Sequence, residues 1–555
     1  MCGIAGFHSL SPKHDGAGIV EKMLRKARYR GPDDLGAGQY GNTAIGMARL
    51  CIVDTEKHPL PFVDDSKRVA LVFNGEIYNH DEIRAGLKKR YRFKTTSDTE
   101  TILYNYIHKG MESFNELNGM YAIALYDKAK DCTYVVRDKT GEKPVYYTTG
   151  KDFIAFASEI KMLFEVVEPK VNKDSLGYKA FEFCIGKGTL FENIFQLEPG
   201  EYLKIKNGNV TIHSYWKAWD RPVEIKDDLK KIKKDLSELI EDAILLRTKN
   251  CAHQYGCFIS GGVDSALVAC IAKPHFIYTC HYDLGPEFDE LDYAQMVAAH
   301  IKRKLVVVEP TPEDFTRVRE TVAYHLDTPC TWTSFSLWML LERARKDIKV
   351  VMSGDGADEM FAGYHRYHLL HHDEQIHKLK AMQEYTYLIN KYYGSPVERY
   401  AKLVNRCENV YDQDVHKYLN DLIEVYFNHG NQDVVHGMGL SDFYTSMQVL
   451  LQMSDRMSMA FSIENRSPFL DYRLVQYAFS LPSKYKIKDG ITKWILKDIA
   501  RKFIPKEIVD RVDKRGFSAP LNRWFGWDQT GKYDRSVYRK MAYEDWMKAF
   551  GLKSV

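Results

Sequence analysis

Tyr255-Gly256-Cys257-Phe258-Ile259-Ser260-Gly261-Gly262-Val263-Asp264-Ser265-Ala266-Leu267-Val268-Ala269-Cys270-Ile271-Ala272 decides how the larger part of this chain folds. Residues 255–259 suit a strand and 266–272 a helix, with a Ser-Gly-Gly-Val-Asp-Ser turn between them. In that order, backbone N–H groups can approach a phosphate closely and the helix dipole favours the anion. The lysine of the G-x-x-x-x-G-K-[ST] phosphate loop is missing, so the turn is of another class. Apolar runs at 276–282, 304–308 and 349–352 follow, separated by longer helix-compatible segments, which predicts a parallel sheet with covering helices.

The pattern repeats further on as Val350-Val351-Met352-Ser353-Gly354-Asp355-Gly356-Ala357-Asp358-Glu359, again an apolar run, a glycine turn and acids. From about residue 364 glycine and proline become sparse, which predicts mainly helix. Toward the amino terminus, Leu229, Ile232, Leu236, Leu239, Ile240 and Ala243 recur at helical steps and open this second domain after a charged stretch at 219–228. The lysines at 230, 231, 233 and 234 read as a solvated face of that helix. Before about residue 210 the chain reads as strands and turns, at 69–73, 120–126, 132–136, 145–147 and 153–157, with 120–126 and 132–136 as a hairpin.

At 555 residues and 45% hydrophobic content the chain can bury more than one core. Lys plus Arg total 78 against 75 for Asp plus Glu, a net +3, so no whole-chain field draws it to nucleic acid or anionic lipid. Ten cysteines are scattered without a C-x-x-C pair, and a reducing cytoplasm suits them. No apolar run is long enough to span a membrane and no export signal opens the chain, which predicts a soluble, unexported protein.

The chain begins Met1-Cys2-Gly3-Ile4-Ala5-Gly6. Once Met1 is removed, Cys2 carries a thiol and an α-amino group that can act as a base near neutrality, so one residue supplies nucleophile and proton acceptor. Arg30-Gly31-Pro32-Asp33, Arg49-Leu50, Asn74-Gly75-Glu76-Ile77-Tyr78-Asn79, Ser97-Asp98, Arg137-Asp138 and Gly141-Glu142-Lys143-Pro144 follow. Together these resemble the glutaminase domain of the class II glutamine amidotransferases. Splitting an amide requires stabilising a tetrahedral oxyanion, which a side-chain amide and a backbone N–H at Asn74 and Gly75 suit; losing one such donor costs about 100- to 1000-fold. The resemblance places the glutamine α-carboxylate on Arg49 and its α-ammonium on Glu76 and Asp98.

The Ser260–Ser265 turn resembles the loop of ATP pyrophosphatases, which cleave ATP between the α- and β-phosphates. With Asp455-Arg456-Met457-Ser458-Met459, Glu464-Asn465-Arg466-Ser467-Pro468-Phe469-Leu470-Asp471 and Lys493, the whole resembles the glutamine-hydrolysing asparagine synthetases. That implies an α+β amino-terminal-nucleophile hydrolase sandwich (αββα) at 2–210, an α/β parallel-sheet ATP pyrophosphatase domain with a mainly helical C-terminal part at 225–525, and a tail at 526–555. It also implies ATP on Ser260, Gly261, Gly262, Asp264, Ser265, Ser353 and Gly354, Mg2+ on Asp264 and Asp358, and Lys493, on an amphipathic helix, facing the α-phosphate. Asp355 stands where many asparagine synthetases carry a glutamate proposed to take a proton from ammonia. Glutamine, aspartate and ATP are the implied substrates, a tunnel the implied ammonia route, and a homodimer the implied assembly. Relatives amidate sugar acids or peptides, or regulate without turnover, and these stay open; a tRNA-modifying protein would carry a basic appended domain, which +3 argues against. His365, His368, His371, His372 and His377 could gather imidazoles for zinc, but read as a helix surface.

Overall fold

The computed structural model describes residues 2–552 except 12–13, 250, 286–289, 372–393, 408, 410–411, 431–432, 512–518 and 528–535. Its first half carries strands β1 (Gly3–Ser9), β2 (Asp34–Tyr40), β3 (Thr43–Arg49), β4 (Phe62–Val63), β5 (Val69–Ile77) and β6 (Gly119–Asp127). Six more follow: β7 (Cys132–Arg137), β8 (Tyr146–Thr149), β9 (Phe153–Ala157), β10 (Phe195–Gln196), β11 (Glu201–Lys206) and β12 (Asn209–Ser214). They form two antiparallel sheets, ordered β10-β8-β9-β1-β3-β2 and β12-β11-β7-β6-β5-β4. Ile4, Ile45 and Met47 of one sheet pack on Val72, Ala122 and Val135 of the other, fully buried. Helix Gly16–Lys26 covers the outer face of the first sheet through Val20, Met23 and Leu24, and helix Asp98–Lys109 covers the second through Ile102, Leu103 and Tyr106. The layering is therefore αββα, and the expected hairpin is β6 paired with β7.

Helix Leu229–Leu246 then opens the second half, capped by the Asp228 carboxylate, which accepts from the N–H groups of Lys230 and Lys231. Strands β13 (Tyr255–Phe258), β14 (Phe276–Cys280), β15 (Lys304–Val308), β16 (Val350–Met352) and β17 (Glu464–Arg466) make a parallel sheet in the order β15-β14-β13-β16-β17. Apolar clusters lie on both of its faces, one with helix Val263–Ala272 and one with helix Trp332–Ala344. Helix Ser536–Ala549 returns to the first half, where Trp546 is fully buried beside Phe191. Among the described residues no helix is long and apolar enough to cross a membrane.

A dry ionic layer joins the halves. Arg30 donates to Glu159 at 2.8 Å and to Asp455 at 2.9 Å, and Lys161 lies 2.8 Å from Asp327. Arg456 donates to the Ser158 carbonyl at 2.8 Å and lies 3.4 Å from Asp327. Burial pushes the Asp455 carboxyl up, but Arg30 and then Lys143 more than reverse this and leave it below its usual range. His325 sits against the layer, its ring 4.5 Å from that of Tyr29. Burial first, and Lys161 next, hold this imidazole down at about 3. Its folded-state affinity for a proton is thus far below that of the unfolded chain, so its stabilising effect is present above about pH 6.5 and lost as pH falls toward 3. Thermal unfolding followed against pH should show stability falling below pH 6.5 by up to about 1.4 kcal/mol per unit from this group, and His325→Phe should flatten that part of the profile. Parallel profiles for the two proteins would contradict it.

Candidate active sites

Cys2 lies just before β1, 7% exposed. A cavity of about 40 Å³ beside it is lined by Cys2, Arg49, Gly75, Glu76 and Asp98 among others. Five of the sequence-predicted residues therefore converge. Asn74 joins them from β5: its Oδ1 accepts from the Cys2 N–H at 2.9 Å, while its Nδ2, fully buried, has no hydrogen-bond partner. A buried donor left without an acceptor is costly, and here it belongs to the amide that holds the Cys2 nitrogen. Gly75 cannot carry a side chain, because a Cβ would sit 2.0 Å from the Met120 carbonyl of the paired strand. Arg49 donates to the carbonyls of Glu56 at 2.6 Å and Asp54 at 2.8 Å. Asp98 accepts from the Ile77 N–H at 3.1 Å at the start of helix Asp98–Lys109. Burial raises the Cys2 thiol, so it needs a base to ionise it. Burial, reinforced by Asp98, raises the Glu76 carboxyl well above its usual range, and burial raises Asp98 too. Met1 lies outside the described residues.

The second site is at the carboxyl ends of β13 and β16, where ligands of parallel sheets bind. Gly261 has φ +66°, a left-handed conformation that favours glycine. The Ser260 N–H donates to Ser265 Oγ at 3.2 Å, and Ser265 Oγ donates to the Gly262 carbonyl at 3.3 Å. Helix Val263–Ala272 begins there with no side-chain cap, so its first N–H groups face the turn. Gly354 packs directly on this turn: a Cβ would meet the Ser265 nitrogen at 2.9 Å. Ser353 Oγ donates to Asp355 at 2.8 Å, and burial raises the Asp355 carboxyl.

Lys493 departs from expectation. It is not on a helix surface but precedes helix Trp494–Ala500, at φ +53° and 4% exposed. A non-glycine residue in that region is uncommon and is held only where its surroundings demand it. Its Nζ bonds Asp264 and lies 2.6 Å from Asp358, gathering both acids around one cation. Arg511 escaped the sequence reading; its guanidinium donates to the Gly261 carbonyl at 3.2 Å, pairs with Glu290 at 2.8 Å and stacks on Tyr293. Lying 250 positions from its contact, it carries no local signal. His365 is exposed, and among the described residues no group of three or more His, Cys, Asp or Glu could hold a metal ion; His372 and His377 lie outside them.

Comparison with known proteins matches both halves of the chain. Residues 1–216 match the glutamine amidotransferase domain model and residues 235–545 the asparagine synthase model. Asparagine synthetase [glutamine-hydrolyzing] 1 of Bacillus subtilis is 30% identical over 94% of this chain and 88% of its own length. A putative asparagine synthetase [glutamine-hydrolyzing] of Mycobacterium bovis is 28% identical over the same 94% and 88% shares. Asparagine synthetase [glutamine-hydrolyzing] 3 of Bacillus subtilis is 28% identical over 92% and 86%. With a sandwich that buries Cys2 beside Asn74 and a parallel sheet that carries the glycine turns, the chain belongs to the asparagine synthase family and is an ATP-dependent ligase that builds an amide with nitrogen drawn from glutamine.

Proposed function

We propose that this chain makes asparagine: glutamine is hydrolysed at Cys2, and the ammonia attacks a β-aspartyl-AMP formed from aspartate and ATP. The products are asparagine, AMP, pyrophosphate and glutamate. The observation that carries the nitrogen-donor half is the buried Asn74 amide, whose unpartnered Nδ2 lies beside Cys2. Aspartate as acceptor is supported by the names of the relatives, asparagine synthetases in each case.

In the glutaminase half, 2–210, the α-amine freed by loss of Met1 takes the thiol proton, and the Cys2 sulfur attacks the amide carbon. Asn74 Nδ2 and the Gly75 N–H receive the oxyanion, Arg49 holds the α-carboxylate, and Glu76 and Asp98 hold the α-ammonium. Ammonia leaves, and water clears the thioester. The apolar cluster of Leu50, Ile52, Tyr78 and Met120 with Val350 and Met459 bridges the halves and supports a dry route between the sites.

In the synthetase half, 225–525, Ser260, Gly261, Gly262, Ser265, Ser353 and Gly354 cradle the nucleotide phosphates, and Lys493 faces the α-phosphate. Asp355, whose carboxyl burial makes more basic than usual, takes a proton from the attacking ammonia. Asp264 and Asp358 would hold Mg2+: both lie around the Lys493 ammonium, and two carboxylates completed by phosphate oxygens match the donors this ion prefers. Bound there, it would neutralise charge on the pyrophosphate leaving group.

The test is incubation with ATP, magnesium, glutamine and, in turn, aspartate, glutamate or a sugar acid. Aspartate alone should drive pyrophosphate release and yield asparagine by mass. Release driven by another acid in its place, or ADP formed instead of AMP, would refute the reading.

A further inference from the structure

The cavity beside Cys2 is not built from the first half alone. Among the described residues, every one lining it lies at or before Thr99 except Glu464, the first residue of β17 in the parallel sheet. Its N–H donates to the Lys349 carbonyl at 2.8 Å, and its pairing with Val350 fixes its place against β16. We propose that Glu464 completes the glutamine pocket, its carboxylate meeting the α-ammonium of the bound amino acid together with Glu76 and Asp98.

This inference rests on the glutaminase reading above and adds to it a residue from the other half of the chain. Three observations carry it. Glu464 is held by Arg466, whose Nε donates to its carboxylate at 2.6 Å and whose Nη1 donates to the Arg247 carbonyl at 2.7 Å. The same guanidinium lies 3.7 Å from Glu76, whose Oε1 is buried without a hydrogen-bond partner and so offers an acceptor to the pocket. Finally, an amino acid at neutral pH brings one positive and one negative group, and a buried pocket must answer both. Arg49 answers the carboxylate. Glu76 and Asp98 are both pushed toward their neutral forms by burial, whereas in Glu464 burial is outweighed by Arg466, which keeps the carboxyl below its usual range. Glu464 therefore brings a carboxylate, shared with Arg466, to the wall of the cavity, and the glutamine site is whole only when the parallel sheet is docked against the sandwich.

Glu464→Gln keeps the shape and an oxygen for Arg466 but removes the charge. Glutamate or ammonia release is measured with glutamine and with 4-carbamoylbutyrate, the same amide without an α-ammonium. Expected is a rise in glutamine KM of about tenfold or more, kcat for glutamine within about threefold of the wild type, and no change with 4-carbamoylbutyrate. Pyrophosphate release with added ammonium salt reports that the variant is folded and should match the wild type. An unmoved glutamine KM, equal losses on both substrates, or loss of the ammonia-dependent activity would overturn the inference and make Glu464 a structural residue. If the wild type itself hydrolyses no glutamine, the glutaminase reading falls, and this inference with it; if it does and Glu464→Gln behaves identically, only the present inference falls.

Discussion

Replacing Cys2 by alanine abolishes glutamine-dependent amide synthesis while leaving synthesis from added ammonium salt within about twofold of the wild type. The expectation follows from the distance the chain puts between the two chemistries. The thiol sits at the sandwich cavity, whereas the glycine turns lie at the far ends of β13 and β16 in another sheet. The Ser260 to Ser265 turn does not line the cavity beside Cys2. Removing a catalytic nucleophile costs on the order of 1000-fold or more, and here it should silence glutamate release. The substitution deletes one sulfur at a 7% exposed position and leaves the Cys2 N–H to Asn74 bond in place, so the fold should persist. The check is glutamate release and pyrophosphate release measured side by side, with mass spectrometry of the wild type to establish that Met1 is gone. Joint loss of both activities would mean that the sites are not separable.

Lys493→Met should produce the mirror image: pyrophosphate release down by about 100- to 1000-fold, with glutamine hydrolysis retained. Lys493 is 4% exposed, its ammonium is bonded to Asp264 and Asp358, and its backbone is held in the left-handed region, so it is both placed and poised. Methionine preserves length and buried volume, isolating the charge. Breaking a buried ionic cluster by removing one member costs about 3–5 kcal/mol, so a lowered melting temperature accompanies the lost activity, and adding magnesium with ATP should recover part of it. Pyrophosphate release at wild-type rates would show that Lys493 does not act on the nucleotide.

What the sequence made legible follows from how each element is buried. The strands Phe153–Ala157 and Lys304–Val308 lie where apolar runs predict them, the first with a core on both of its faces, and helix Leu229–Leu246 follows its stripe of leucines and isoleucines because one face meets a core. Helix Asp98–Lys109 was missed since nine of its twelve residues are buried and include Thr99, Glu100 and Asn105, leaving no clean stripe. Strand β17 was missed for a sharper reason: Glu464-Asn465-Arg466 has no apolar residue, and its burial depends on charges cancelling across space rather than on pattern. In the amidotransferase half the candidate residues were readable because Cys2, Arg49, Asn74, Gly75, Glu76 and Asp98 stand in a recognisable order within the first hundred positions. Arg511 and Glu464 were not, because each reaches its site from hundreds of residues away.

The dry ionic layer of Arg30, Glu159, Lys161, Asp327, Asp455 and Arg456 bears on how this polypeptide can be divided. Severed between Ser214 and Leu229, the gene would yield two fragments, one keeping Arg30, Lys161 and Glu159 and the other Asp327, Asp455 and Arg456, so that each bares a once-buried cluster with one charge left over, positive on the first and negative on the second. Neither fragment is a finished product. Made separately they should precipitate or stay loosely folded; made together in one cell they should find each other, since the charges that make solitude expensive also make the match selective.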